Sequence, residues 1–205
     1  DRPFMNYLLI WLKKYGITNV YISVGYMKDI IMDYYADGKS LGVNLKYIKE
    51  NIPLGTGGAL KKIVDVINYK EFILLNGDSM LPINMNDFYT YHKKSNAVFS
   101  MACYFQKECS NYGAIEYDKN LFLKKFSEKT LNGSGWINGG IYIVNSEKIK
   151  KYCINNKCSL EIDILPEMIK SKCVKIYLSN INKFIDIGNP DSLDDAKTEL
   201  RKGII

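Results

Sequence analysis

The chain is poor in histidine and has no ordered cysteine pattern, and these shortages exclude several kinds of site. Its one histidine, His92, lies in a polar helical stretch where we expect a solvated side chain. A single histidine leaves little room for a Ser/His/Asp or Cys/His nucleophile. The five cysteines are an odd set without C-x-x-C spacing, which predicts reduced packing residues rather than disulfides or a zinc site.

Long apolar runs are also missing. No run approaches the length of a membrane-spanning helix, and the first residues, Asp1 to Phe4, lack the organisation of a secretory signal. The net charge of +6 comes with lysine pairs that are scattered, whereas a nucleic-acid surface would gather them in one stripe. We therefore expect a cytoplasmic protein without a nucleic-acid or membrane partner, whose positive charge would favour phosphorylated substrates.

The length of 205 residues and the hydrophobic content of 47% predict a well-buried α/β core. Apolar periodicity alternates between helix and strand through the first half, and the strand, helix, strand order implies parallel pairing. From Val98 onward several strand-like runs are separated by turn signals, which predicts a mixed second half. We interpret the chain as a single domain, with a nucleotide-binding half at 1–105 and a half for the second substrate at 106–205.

Two aspartates follow or end apolar strands. Asp78 comes shortly after Phe72–Leu75, and Asp186 ends the run that begins at Phe184. In an open α/β sheet, ligands collect at the carboxyl ends of the strands, so both side chains would face one crevice. Two neighbouring carboxylates repel each other, and a hard divalent cation such as Mg²⁺ removes that cost. The alternative is that Asp78 opens a turn and Asp186 caps a helix.

A glycine-rich turn, from Leu54 to Gly58, precedes the first aspartate. Small residues allow backbone amides to approach a flat or anionic ligand closely. The simpler interpretation is a helix start with Thr56 as its cap, and both can hold together. Further along the chain, Gly139-Gly140 predicts either a β-bulge with close strand packing or a ligand contact.

Six short motifs together resemble the sugar-1-phosphate nucleotidylyltransferase family, from Pro3 to the final helix. Each motif is weak alone, but their order and spacing are typical of the family. In chain order they are Leu54-Gly55-Thr56-Gly57-Gly58-Ala59, Leu75-Asn76-Gly77-Asp78, Tyr112-Gly113, Glu128-Lys129, Asn138-Gly139-Gly140-Ile141-Tyr142 and Phe184-Ile185-Asp186-Ile187-Gly188. The chain is most similar to the D-glycero-α-D-manno-heptose 1-phosphate guanylyltransferases of this family. The resemblance implies a Rossmann-like three-layer fold with a mixed, mainly parallel central sheet.

The resemblance also implies a reaction. A sugar 1-phosphate oxygen attacks the α-phosphorus of a nucleoside triphosphate, here GTP, and pyrophosphate leaves, which yields a nucleotide sugar for capsule or lipopolysaccharide synthesis. The implied catalytic residues are Asp78 and Asp186, which hold Mg²⁺, and Lys129, which grips the sugar phosphate. The implied nucleotide-binding residues are Glu50, Leu54, Gly55, Thr56, Gly57 and Asp78. The implied sugar-phosphate-binding residues are Gly113, Glu128, Lys129, Asn138, Gly139 and Glu161.

Simpler explanations stay open for some of these residues. Glu128 and Lys129 fit an exposed surface ion pair, and Glu161 fits the first turn of a helix, where the helix dipole favours a carboxylate. The oligomeric state is open, and a homodimer formed through the tyrosine-rich second half is one hypothesis.

One family motif has no counterpart in the chain. The family opens with a strand and a G-x-G-T-R loop followed by a lysine, whereas Asp1 to Met5 resembles the stretch just after that loop. Either an N-terminal segment is omitted from this sequence, or the protein is a truncation that lacks the central strand. A catalytically silent sugar-nucleotide-binding regulatory subunit is therefore an alternative. A metal-dependent glycosyltransferase is a weaker one, because Asn76-Gly77-Asp78 differs from its usual pair of aspartates flanking one residue.

Overall fold

The computed structural model describes residues 2–109, 112–127, 133–188 and 190–201. The chain forms two compact units. The first consists of Asp1–Asn68 and Lys150–Ile164, and the second of Tyr69–Ile149 and Leu165–Ile205. This division differs from the halves 1–105 and 106–205, because a boundary there would cut a strand of the second unit, Phe99–Gln106.

The first unit contains a two-stranded parallel sheet. Its elements are α1 (Phe4–Lys14), β1 (Asn19–Val24), α2 (Lys28–Tyr35), a 3₁₀ turn (Lys39–Leu41), β2 (Asn44–Lys49), α3 (Gly55–Val66) and a π-helical turn (Leu160–Ile164). β1 and β2 pair in parallel, as the strand, helix, strand order predicted. Leu9, Tyr35, Val43 and Leu45 form a buried cluster. The Tyr35 hydroxyl donates to Asn6 Oδ1 at 2.7 Å, which satisfies its polar end inside the core.

The second unit is built on a six-stranded sheet in the order β7-β6-β8-β5-β9, with β3 beside β8. Its elements are β3 (Glu71–Leu75), β4 (Ser79–Met80), α4 (Met85–Ser95), β5 (Phe99–Gln106), β6 (Ala114–Tyr117), β7 (Leu123–Ser127), β8 (Gly135–Asn145), α5 (Ser146–Ile149), α6 (Leu165–Lys170), β9 (Val174–Leu178), β10 (Ile185–Asp186) and α7 (Pro190–Arg201). β8 pairs with β3, β5 and β6, and its apolar residues from Ile141 to Val144 are buried. Strand β8 is therefore the centre of this core.

The mixed α/β class is confirmed, and the sheet contains both kinds of strand pairing. β5 and β9 are parallel, whereas β8 is antiparallel to β3, β5 and β6. Among the described strands, antiparallel pairs are therefore more frequent than expected for a mainly parallel sheet. β3 is partly exposed and pairs with β8 alone in the described residues, although Phe72 to Leu75 are all apolar. An apolar run does not by itself reveal how many edges of a strand are paired.

His92 corrects the expectation of a solvated helix residue. It is only 2% exposed, because α4 packs a face that includes Met85, Phe88 and His92 against its own unit. His92 Nδ1 lies 2.7 Å from Ser100 Oγ, so the imidazole has a polar partner inside the core. Burial lowers the pKa of His92, which favours the neutral ring.

Two further observations concern the cysteines and the helices. All five cysteines are free thiols, and four of them are buried, which confirms the prediction of reduced packing residues. Helices long and apolar enough to cross a membrane are absent from the described parts of the chain.

Candidate active site

The two aspartates come together in the second unit because their strands form a short antiparallel ladder. Asp186 pairs with Ser79, and Ile185 pairs with Met80. The Ile187 amide also donates to the backbone carbonyl of Asp78 at 2.8 Å. The ladder therefore fixes the backbone of both aspartates in one place, although they lie more than a hundred positions apart in the sequence.

Gly188 lies beside both carboxylates. A Cβ atom built on this residue would be 3.0 Å from Asp186 Oδ1 and 3.9 Å from Asp78 Oδ2. The Gly188 amide donates to Asp186 Oδ1 at 2.5 Å and so orients that carboxylate. A side chain here would crowd the carboxylates, which is a role for Gly188 that the sequence reasoning did not assign to it.

The electrostatics of the pair fit a cation. Loss of surrounding water is the largest cause that raises the pKa of Asp78, and the charge of Asp186 raises it further, against a backbone hydrogen bond that lowers it. Asp78 is nonetheless exposed to solvent. The described residues contain no cluster of three or more His, Cys, Asp or Glu ligands. Two carboxylates suit Mg²⁺, which commonly takes its other ligands from water and substrate phosphates.

The glycine turn lies in the first unit, against the segment that returns to it. The amides of Gly57 and Gly58 donate to the Cys158 carbonyl at 2.9 and 3.2 Å, and the Cys158 amide donates to the Leu54 carbonyl at 3.0 Å. These bonds satisfy amides at the start of α3 that a helix leaves without partners. Gly55 has a φ of +75°, and a Cβ there would be 2.5 Å from the Cys158 carbonyl oxygen. The glycines therefore have a packing role, whatever ligand the turn binds.

Thr56 and Glu161 meet across the same contact. The Thr56 hydroxyl donates to Glu161 Oε2 at 2.7 Å and accepts from the Leu160 amide at 2.8 Å. Ser159 Oγ donates to the same carboxylate oxygen at 2.9 Å and accepts from the Glu161 amide at 3.1 Å. Thr56 thus secures the returning segment, and no side-chain cap bond begins α3.

Glu50 lies close to the turn and supports it. Its Oε1 accepts from the Ser23 hydroxyl at 2.5 Å, and its Oε2 accepts from the Leu54 amide at 3.2 Å. The carboxylate therefore links β1 to the first residue of the glycine motif. Ser23 had no signal in the sequence, since its partner lies 27 positions away.

Three of the residues assigned to the sugar, Gly113, Asn138 and Gly139, lie together in the second unit, whereas Glu161 belongs to the first unit. The Asn138 amide donates to the Gly113 carbonyl at 3.2 Å, where β6 meets β8. The register of β5 against β8 shifts after Asn138, so Gly139 and Gly140 form a β-bulge. A Cβ on Gly139 would be 2.6 Å from the Leu81 side chain. The bulge and close packing that the sequence allowed are both present.

Asn138 stabilises this bulge with its side chain. Its Nδ2 donates to the Tyr142 hydroxyl at 2.6 Å, and its Oδ1 accepts from the Gly140 amide at 3.0 Å. Glu128 and Lys129 lie outside the described residues.

The comparisons with known proteins agree with this geometry. Residues 1–203 match the family model described as "Nucleotidyl transferase". The D-glycero-alpha-D-manno-heptose 1-phosphate guanylyltransferase of Aneurinibacillus thermoaerophilus is 31% identical over 201 residues, which cover 98% of this chain and 86% of the relative. The enzyme of the same name from Campylobacter jejuni is also 31% identical, over 93% of this chain and 83% of the relative.

A solved structure has the same fold. The crystal structure of HddC from Yersinia pseudotuberculosis matches with a TM-score of 0.88 and 28% identity, over 98% of this chain and 86% of that one. The same protein complexed with GMP-PN matches with a TM-score of 0.86. Because the family model spans nearly the whole chain and the paired carboxylates lie at the ends of the expected strands, the chain belongs to the nucleotidyl transferase family.

Proposed function

We propose that this protein transfers a guanylyl group from GTP to D-glycero-α-D-manno-heptose 1-phosphate, with release of pyrophosphate. The product would be a nucleotide-activated heptose for surface polysaccharide synthesis. The observation that carries the proposal is the 31% identity to a heptose 1-phosphate guanylyltransferase over 98% of the chain. The HddC structure complexed with GMP-PN supports guanine as the base.

The chemistry needs positioning and charge neutralisation. An oxygen of the sugar 1-phosphate forms a bond to the α-phosphorus as the bond to the β-phosphate oxygen breaks, and pyrophosphate takes that electron pair. Both reactants are anions, so alignment and nearby positive charge account for most of the rate. Asp78 and Asp186 would hold Mg²⁺, which when bound supplies that positive charge. Ionised Asp78 is the form that binds the cation.

The first unit would bind the base and ribose. We assign this role to the glycine motif, with Leu54, Gly55, Thr56 and Gly57, and to Glu50 beside it. The hydrogen bonds from Glu50 to Leu54 and from Thr56 to Glu161 support it, because they hold the motif in one conformation before the ligand arrives. Asp78 is assigned to the nucleotide on the family resemblance, as a residue that would hold the cation.

The second unit would bind the sugar phosphate through Gly113, Asn138 and Gly139. The Asn138 amide donates a hydrogen bond to the Gly113 carbonyl, which supports a common role for the two residues in binding the sugar phosphate. Glu128, Lys129 and Glu161 are assigned on the family resemblance, with Lys129 on the phosphate. We further propose that both units act as one catalytic domain in the cytoplasm, as a homodimer, without nucleic-acid or membrane partners.

The test is pyrophosphate release with Mg²⁺ present, for each common nucleoside triphosphate with mannose 1-phosphate and with the heptose 1-phosphate. Release with GTP and the heptose substrate is the expected result. Release with a different base or sugar would replace that part of the assignment. No release from folded full-length protein that nevertheless binds GTP would contradict catalysis and support a sugar-nucleotide-binding regulatory subunit.

A further inference from the structure

A second concave site lies next to the carboxylate pair in the second unit. It is a cavity of about 370 Å³, a size that accommodates small ligands. Its lining residues are Tyr104, Asn182, Lys183, Phe184, Asp195, Thr198 and Glu199. Phe184 lies two residues before Asp186 in the chain, so the cavity shares a segment with the carboxylate pair.

One wall of this cavity is aromatic. The rings of Tyr104 and Phe184 stack, with centroids 5.6 Å apart and planes at 24°. Tyr112 packs its edge against Phe184 at 5.8 Å. Rings held by such contacts present rigid apolar surface at little cost in side-chain entropy. The C–H face of a carbohydrate is a natural partner for this surface.

The other lining residues are polar and carry more negative than positive charge. Lys183 Nζ and Glu199 Oε2 form an ion pair at 2.5 Å, in which both side chains are about one third exposed. Asp195 adds a second carboxylate, and Thr198 adds a hydroxyl group. One cation against two carboxylates disfavours a phosphate in this place. An ammonium with three donors, beside carboxylate acceptors, instead suits the hydroxyl groups of a neutral polyol.

Tyr112 connects the cavity to the residues assigned to the sugar. It contacts Phe184 on the cavity wall, and its neighbour in the chain is Gly113. Burial, with the charges of Asp186 and Asp195, raises the pKa of Tyr112. The ring therefore lies within the field of one carboxylate from the metal pair and one from the cavity.

We propose that this cavity binds the exocyclic hydroxylated arm of the sugar, with Lys183 and Glu199 as specificity-determining residues. The inference rests on the proposed function, since it takes the sugar 1-phosphate as the ligand. The arm of the heptose has one more CHOH group than the arm of mannose. The cavity therefore provides a means of preferring the longer sugar, because the additional hydroxyl group can hydrogen-bond with Lys183 and Glu199, a contact that the shorter arm does not make.

Two variants and a matched control test this role. Lys183→Gln removes the cation at similar length, and Thr198→Phe fills the cavity while leaving the ion pair in place. Lys197→Gln is the control, because Lys197 pairs with Asp194 on the same helix at 2.7 Å and does not line the cavity. Each protein is assayed for kcat/KM with GTP and either heptose or mannose 1-phosphate. Calorimetric titration with each sugar phosphate alone gives a readout that needs no catalysis.

The expected result is a fall in the heptose-to-mannose ratio of kcat/KM of about tenfold in both cavity variants, with no change in Lys197→Gln. An unchanged ratio, or equal losses with both sugars, would overturn the proposal. If the wild type is inactive with every substrate pair, the proposed function fails separately. Calorimetry then decides: weaker heptose 1-phosphate binding in folded Lys183→Gln or Thr198→Phe supports the cavity, and unaltered or absent binding rejects it.

Discussion

The glycine turn of the first unit and the carboxylate pair of the second differ in how their polar groups are paired. In the turn, amides and hydroxyls have partners within the same unit, such as the Gly57 amide on the Cys158 carbonyl and the Thr56 hydroxyl on Glu161. In the pair, the fold brings Asp78 and Asp186 together with like charge, and the pKa of Asp78 is raised. The turn has its hydrogen bonds without a ligand, whereas the like charges of the pair suit a bound cation.

This difference separates stability from function. A change in the turn removes packing and hydrogen bonds that the folded protein has on its own. A change in the pair removes a repulsion that the folded protein tolerates. We therefore expect variants of the turn to lose stability, and variants of the pair to lose activity while keeping stability.

The largest expected effect is the loss of activity in Asp78→Asn. Loss of one charged contact to the reacting phosphates lowers kcat by about 10² to 10³, or about 2.7–4 kcal/mol of barrier. Its free energy of unfolding without metal should stay the same or rise by less than about 1 kcal/mol, because solvent screens this partly accessible carboxylate. Asp194→Asn, which removes an exposed carboxylate paired with Lys197, is the control and should leave kcat unchanged. A near-normal rate in Asp78→Asn would remove Asp78 from the site.

Gly55→Ala tests the turn, and Gly16→Ala is its control. Both glycines have a left-handed φ, +75° and +73°, but a Cβ on Gly16 would have nothing within 4 Å. We expect Gly16→Ala to lose about 1–2 kcal/mol of unfolding free energy from backbone strain, and Gly55→Ala to lose about 2–4 kcal/mol, since overpacking is added. Urea unfolding measures both. Equal losses would mean that the contact with Cys158 does not restrict this position.

The metal affinity of the pair should depend on pH through Asp78. A proton competes with the cation for this carboxylate, so the affinity falls by up to about tenfold for each pH unit below the raised pKa and levels off above it. Without metal, a fall in pH has the opposite effect on the free energy of unfolding, which rises. The ionised carboxylate destabilises the fold above that pKa, and the penalty disappears as the pH falls and the carboxylate is protonated in both states. Mg²⁺ titrations between about pH 4 and pH 7 would show this, and an affinity independent of pH would contradict it.

The smallest expected effect is that of Thr56→Val. It removes two hydrogen bonds of the returning segment and should cost about 1 kcal/mol of unfolding free energy. Thr90→Val is the matched change, because the Thr90 hydroxyl donates to the Asn86 carbonyl one turn earlier on the exposed face of α4. Thr90→Val should lose little unfolding free energy, since hydrogen bonds of this kind stabilise helices only weakly. A similar loss in both variants would argue against a special role for Thr56.

Local patterns in the sequence predicted most elements of the fold. The apolar run Val174–Leu178 forms strand β9, and Pro190 begins the last helix, where its fixed backbone angle is favourable. The two-residue strand β4 was missed, because Ser79–Met80 has no periodicity and is defined by its pairing with β10. The burial of His92 was missed for a similar reason. Its partner Ser100 lies on a strand, and one polar residue on a helix does not reveal which face is covered.

The candidate site could be predicted only in part. Aspartates at strand ends and glycines before a helix are local signals, so Asp78, Asp186 and the turn were found. The support around them depends on contacts between distant positions, such as Thr56 with Glu161, 105 residues apart. Cys158 contributes its backbone carbonyl to the turn. The type of a residue does not indicate what its backbone groups contact. No pattern within one sequence indicates such pairs.

The most direct test of the account is the melting temperature of the wild type and Asp78→Asn, each with and without Mg²⁺. Without the cation, Asp78→Asn should melt at the same temperature as the wild type or higher, because a raised pKa means that the ionised carboxylate destabilises the fold. With the cation, the wild type should gain stability and the variant should gain little. A variant that melts lower without Mg²⁺ and gains as much as the wild type with it would contradict a carboxylate pair kept for a cation.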